Sequence, residues 1–154
     1  MNAPLPLKVR RDLAARAYDD VAKVSNEVAG KLAITLANET QGEVLFSSAD
    51  KGRYATDASI YQVMPVGVFV PRTSDDVKTA LDICRDLKVP IVPRGGGTSQ
   101  CGQTVGAGLV IDHAKYVRNI LNVDVEQRSA EVEPGIVLDH LNAVLKKTRS
   151  VVPG

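Results

Sequence analysis

The stretch Pro93-Arg94-Gly95-Gly96-Gly97-Thr98-Ser99-Gln100-Cys101-Gly102 decides how this chain is read. It joins the apolar run Val89 to Val92 to a second apolar run, Leu109 to Ile111, so it is a long glycine loop between two strands. Six glycines (95, 96, 97, 102, 106 and 108) fall within fourteen residues. Each loosens the unfolded chain by about 0.5 to 1 kcal/mol relative to alanine, a total comparable with the stability of a small domain. A ligand that demands close backbone approach offsets such a cost. Three successive glycines remove every Cβ from one arc, so that N–H groups can converge on an anion. Thr98 and Ser99 add hydroxyls, and Arg94 adds a fixed positive charge. A phosphate or pyrophosphate fits; a mobile surface loop is the alternative. No Gly-Lys-Ser/Thr is present, so this is not a P-loop, and no helix follows the glycines as a Rossmann fingerprint requires.

The bulk properties are those of an ordinary soluble domain: 154 residues, 44% hydrophobic and 24% charged. With 19 basic against 18 acidic residues and six aromatics, nothing marks a nucleic-acid surface. No apolar run is long enough for a transmembrane segment, and the amino end lacks the apolar core of a secretory signal. Cytoplasm is the expected compartment, with peripheral contact at the inner face of the membrane left open. Cys84 and Cys101 lack metal-ligand spacing, so no metal is expected.

Upstream, Met1 to Leu7 reads as a loose leader. Leu13, Ala17, Val21, Val24, Val28, Leu32 and Leu36 recur at helical intervals over residues 8–38, predicting one long helix or one broken at Gly30. Such a helix lies on its own domain or offers a partner surface. Residues 1–41 are therefore expected to be a mostly helical leader, and 42–154 a domain. Residues 42–46 read as a short strand, while Lys51 to Tyr61 shows no period. Val66 to Val70 is a strand ended by Pro71. Thr73 then caps a helix, with Asp76 at capping-box spacing and Val77, Ala80, Leu81, Cys84 and Leu87 as its apolar stripe. Strand, helix, strand implies a parallel pair, and ligands in such sheets gather at the carboxyl ends of strands, where the glycine loop begins. Beyond the loop the pattern turns antiparallel, with strands at 109–112, 117–123 and 130–132. A helix follows over 136–147 with Val137, Leu138, Leu141, Val144 and Leu145 inward. Another strand begins at 151–154.

Pro-x-Thr-x-x-Asp-Val (71 to 77), Pro-Arg-Gly-Gly-Gly-Thr-Ser (93 to 99), Gly102, Leu-Val-Ile-Asp (109 to 112) and Val-Glu-Pro-Gly (132 to 135) occur in that order. Together they resemble the FAD-binding domain of the vanillyl-alcohol oxidase and p-cresol methylhydroxylase family. Within it they are most similar to the FAD-linked oxidase group: glycolate oxidase flavoprotein subunits and D-lactate or D-2-hydroxyglutarate dehydrogenases. Arg53 to Gln62 resembles the stretch that precedes the domain in the large dehydrogenases of that group. The resemblance implies an α+β fold, with a first α/β subdomain and the start of an antiparallel second one. It implies an FAD-dependent oxidoreductase of small 2-hydroxy acids such as D-lactate, glycolate or D-2-hydroxyglutarate, and an amino-terminal fragment of it that is inactive alone. An electron acceptor or iron–sulfur partner is compatible with that group.

By the same resemblance Pro93, Arg94, Gly95, Gly96, Gly97, Thr98, Ser99 and Gly102 surround the FAD pyrophosphate, mostly through main-chain donors, and Pro134 and Gly135 approach the flavin. Asp57 and Tyr61 lie near the domain's entrance. Some members attach FAD through a loop histidine; Gly97 stands there, which implies a dissociable flavin. No catalytic residue is assigned, because neither His113 nor His140 sits in an acid–base constellation. The rival reading is a truncated, non-catalytic module holding some other nucleotide or phosphate.

Overall fold

The computed structural model describes residues 24–146. The expectations for residues 1–7, 8–23, Lys147 and 151–154 lie outside them. The first helix, α1 (Asn26–Glu39), starts where the Ser25 hydroxyl accepts the Val28 N–H at 3.2 Å. Leu32 and Leu36, one turn apart, are fully buried on one face. Gly30 does not break this helix: it sits in open space inside it. A helical glycine there costs about 1 kcal/mol, less than burying the two leucines contributes at about 1.5 to 3 kcal/mol each. The described half of the expected long helix thus lies on its own domain.

After α1 come β1 (Glu43–Leu45), α2 (Ser48–Tyr54), β2 (Gly67–Val70), α3 (Ser74–Asp86), β3 (Ile91–Arg94) and β4 (Leu109–Asp112). Helix α2, unread in the sequence, is one short element capped by Ser47, whose hydroxyl accepts the Asp50 N–H. The capping box at α3 forms as expected. Asp76 does more than close it: its carboxylate accepts N–H bonds from Gln41 (2.9 Å), Arg72 (2.9 Å) and Thr73 (3.2 Å) while 6% exposed. Turning Asp76 inward rotates the buried stripe to Asp76, Ala80, Ile83 and Cys84, so that Leu81, expected inside, is exposed. Lys88 ends α3 in a left-handed conformation (φ 54°), with the Val89 N–H reaching back to the Cys84 carbonyl at 2.9 Å.

The sheet order is β1-β2-β4-β3. Two expectations are corrected here. The parallel strands β2 and β3 are not neighbours, because β4 lies between them; and β4 pairs parallel with both, not antiparallel. Leu109, Val110 and Ile111 are at most 1% exposed, and the strand with apolar side chains for both faces takes the centre. Pro93, without an N–H, sits in the edge strand β3, where no further ladder is needed. Strand β1 is the antiparallel member at the other edge.

Alternation divides the core. Phe69, Leu109 and Ile111 pack with α1 and α3, while Val68, Val70, Val92 and Val110 face the other side with Leu45, Tyr54 and Tyr116. The antiparallel pattern begins one strand later than expected, with β5 (Ile120–Asp124) and β6 (Ser129–Val132) joined through a turn in which Arg128 has φ 51°. The last described helix, α4 (Leu138–Leu145), buries Leu141 and Leu145. Val137, its N-cap residue, and Leu138 and Val144 are exposed, against expectation. No helix among the described residues is long and apolar enough to cross a membrane.

Candidate cofactor-binding loop

Parallel neighbours β3 and β4 must be joined by a connection that returns along the sheet, which takes about a dozen residues or more. Here residues 95–108 make that crossing without a helix, and the loop leaves the sheet at the carboxyl end of β3. Its ends are pinned: the His113 N–H bonds the Arg94 carbonyl (2.9 Å), and the Leu109 N–H bonds that of Pro90 (2.8 Å).

The loop's glycines divide into two kinds. Gly97 (φ 66°) and Gly102 (φ 77°) are in the left-handed region, and a Cβ on either would meet the Arg94 guanidinium or the Tyr61 ring. Gly108 lies against the Pro90 carbonyl, 2.3 Å from where its Cβ would be. Gly95 and Gly96 differ. Neither has positive φ, a Cβ on Gly95 would meet nothing within 4 Å, and one on Gly96 only the Thr98 methyl at 3.6 Å. No contact among the described residues requires glycine at these two positions. The N–H groups of Gly95, Gly96 and Thr98 donate to no group among the described residues. The loop therefore offers an open, Cβ-free arc with unspent donors.

The side chains at the two ends of the arc are turned inward. Ser99 Oγ bonds Gln103 Oε1 and accepts the Gln103 N–H (3.2 Å), closing a turn, while Thr98 is exposed and its hydroxyl has no partner among the described residues. The Arg94 Nη1 donates to the carbonyls of Thr56 (2.9 Å) and Tyr54 (3.3 Å), and the guanidinium lies 5.1 Å from the Tyr54 ring centroid. Residues 54–62 form a strap along the loop. The Ala58 N–H bonds the Gly97 carbonyl at 3.1 Å. Asp57 accepts from the Ser59 N–H and from Thr104 Oγ1, each at 2.9 Å, and these bonds, led by that from Ser59, hold its carboxyl down at about 2. Tyr54 Oη donates to Asp112 at 2.7 Å; burial first, then that bond, pushes the phenol up to about 12. Sequence reasoning missed this strap, although Asp57 two residues before Ser59 is an Asx-turn signal.

Pro134 and Gly135 reach the same end of the sheet. The Gly135 N–H bonds the Val117 carbonyl at 2.8 Å, and a Cβ on Gly135 would stand 2.2 Å from the His113 carbonyl. His113 is thus the shared neighbour of β3's end and of the 134–135 turn. It is buried, its Nδ1 has no partner among the described residues, and burial pushes its pKa down against the opposing pull of Asp112. His140 is exposed on α4. Among the described residues neither histidine side chain is hydrogen-bonded to a carboxylate or nucleophile as a general base would be.

Comparisons with known proteins give the family and the fold. The family model for the FAD binding domain matches residues 65–153. D-2-hydroxyglutarate dehydrogenase of Pantoea ananatis is 38% identical over 108 residues, covering 68% of this chain and 11% of that protein. Glycolate oxidase subunit GlcD of Bacillus subtilis is 41% identical over 115 residues, covering 71% of this chain and 24% of that one. The chain therefore spans a tenth to a quarter of the length of these relatives. Among solved structures, 4-ethylphenol oxidase from Gulosibacter chungangensis superposes with a TM-score of 0.66 at 17% identity, over 82% of this chain and 26% of that one. p-Cresol methylhydroxylase gives 0.62 at 18%, over 82% and 26%. A glycine crossing loop at the carboxyl end of the parallel strand β3, an antiparallel hairpin after it and a family match over more than half the chain lead to one conclusion: this chain belongs to the FAD-binding domain family.

Proposed function

We propose that this chain holds the pyrophosphate of FAD in an FAD-linked oxidoreductase whose substrate is a small 2-hydroxy acid such as D-2-hydroxyglutarate, glycolate or D-lactate. The observation that carries the reading is the pair Gly95 and Gly96, glycines that no contact among the described residues demands, beside amides that no group among the described residues uses. A pyrophosphate fits that donor set: it is compact, doubly anionic and able to take several N–H bonds at once. Gly95, Gly96, Gly97, Thr98 and the main chain of Pro93, Arg94 and Ser99 would line one side, with Gly102 on the returning limb. Pro134 and Gly135 would approach from the hairpin side. Bound FAD would supply the acceptor for the hydride of the 2-hydroxy acid. The residues here would hold it, orient it and keep water from its phosphates. With Gly97 where some relatives of this fold carry a linking histidine, the flavin is dissociable. The substrate class rests on the names of the relatives. Electron transfer onward to an acceptor, and a cytoplasmic position at most peripheral to the inner membrane face, belong to the same proposal; two free cysteines support the compartment.

Calorimetry against FAD, FMN, a nucleoside diphosphate and inorganic pyrophosphate tests it. FAD should bind more tightly than FMN, which lacks the bridging diphosphate, and pyrophosphate should compete. A preference for another nucleotide over FAD would favour the phosphate-module reading. No flavin uptake by this chain, or by any longer polypeptide containing it, would sink the proposal.

A further inference from the structure

We infer that Arg94 is a positioning residue: with Asp57 it clasps the strap 54–62 onto the glycine loop, so that the loop's amides are already arranged when the diphosphate arrives. This rests on the FAD reading above and adds a role for a side chain that a sequence would assign to the phosphate itself. The guanidinium is bonded through Nη1 to two strap carbonyls, those of Tyr54 and Thr56, and packed on the Tyr54 ring. Its Nη2 lies 2.4 Å from where a Cβ of Gly97 would be, so the fork fills the space under the turn of the loop. The strap touches the loop at three further places. The Ala58 N–H bonds the Gly97 carbonyl, Asp57 bonds Thr104 Oγ1, and the Tyr61 ring lies against Gly102.

These contacts fall at Gly97, near the start of residues 95–108, and at Gly102 and Thr104 on the returning limb. The loop has no helix of its own to stiffen it and carries glycines that raise its unfolded entropy. Held by the strap, it pays less ordering entropy on binding. Arginine suits the post and lysine does not. A planar fork can bond two carbonyls while stacking on a ring, whereas an ammonium is a point charge without that fixed geometry.

The test compares wild type with Arg94→Lys, which keeps the charge, and with Thr104→Val, which cuts the strap bond at the opposite limb. Hydrogen exchange of the Ala58 amide is read without FAD, and FAD affinity is read by titration across a salt series. Both variants should speed Ala58 exchange by about tenfold and weaken FAD binding by a similar factor, with the wild-type salt dependence retained. Should Arg94→Lys weaken FAD binding while Ala58 exchange stays at the wild-type rate, Arg94 is a direct phosphate ligand and the inference falls. Faster exchange with unchanged FAD affinity also overturns it, since the clasp would then not prepare the loop. If Arg94→Lys does not fold, Thr104→Val alone decides by the same two readings. A wild-type protein that protects Ala58 yet takes up no flavin, either as this chain or within any longer polypeptide containing it, overturns the FAD reading and not the clasp, so the two failures are told apart.

Discussion

Replacing Gly95 by alanine separates the needs of the fold from those of the ligand. The position has no positive φ, and the added methyl would meet nothing within 4 Å. Alanine there removes freedom from the unfolded chain without strain in the folded one. Gly95→Ala should therefore stabilise by about 0.4 to 1 kcal/mol, a rise in Tm of about 1 to 5 °C. FAD affinity should move the other way. On the proposed reading the methyl would stand in the space through which the amides would reach a diphosphate, and losing one charge-assisted bond costs about 1.5 to 3 kcal/mol, or about ten- to a hundredfold in Kd. Thermal melts followed by circular dichroism without FAD give the first quantity, and quenching of flavin fluorescence gives the second. Unchanged FAD affinity in a folded Gly95→Ala protein would refute the reasoning, and so would a lowered Tm. Gly97→Ala cannot serve, because its φ of 66° and the guanidinium beside it confound fold and ligand.

Other outcomes follow from the same structure. Asp76→Ala strips the acceptor from three main-chain N–H groups and opens the capping box, and should cost about 2 to 4 kcal/mol in a urea melt. Lys88→Gly relieves a side chain held at φ 54° and should raise stability by about 1 kcal/mol; no gain would mean that Lys88 makes compensating contacts. Burial lowers the folded pKa of His113 below its ordinary 6.5, so the unfolded chain binds the proton more readily. Its contribution is intact above pH 6.5 and is lost as pH falls through the folded pKa, by at most about 1.4 kcal/mol per pH unit. Urea midpoints from neutral to mildly acid pH should show that slope, and it should flatten in His113→Phe.

Much of the candidate loop's conformation was legible in the residues. The run from Pro93 to Gly102 announced a loop with bare amides at a strand's carboxyl end, and the structure leaves Gly95 and Gly96 open there. The inward turn of Ser99 and the engagement of Arg94 by the strap were not legible. Both depend on partners, Gln103 within the loop and the carbonyls of Tyr54 and Thr56 from 40 and 38 residues upstream, that no spacing rule connects. In α3 the period was read correctly but its phase was not: the carboxylate of Asp76, drawn inward by donors from Gln41 and Arg72, turned Ile83 in and Leu81 out.

By itself the sequence determined the elements whose causes act within one turn of helix or one strand: the box at Thr73 and Asp76, the alternating strands and the glycine arc. Caps, pleats and turns are local equilibria, set by a few neighbouring residues. Only the tertiary structure decided that β4 enters between β2 and β3, that Gly30 stays helical and that Arg94 faces the strap. Each is a competition between distant groups for burial or for a hydrogen-bond partner, and its winner depends on what the rest of the chain has already covered.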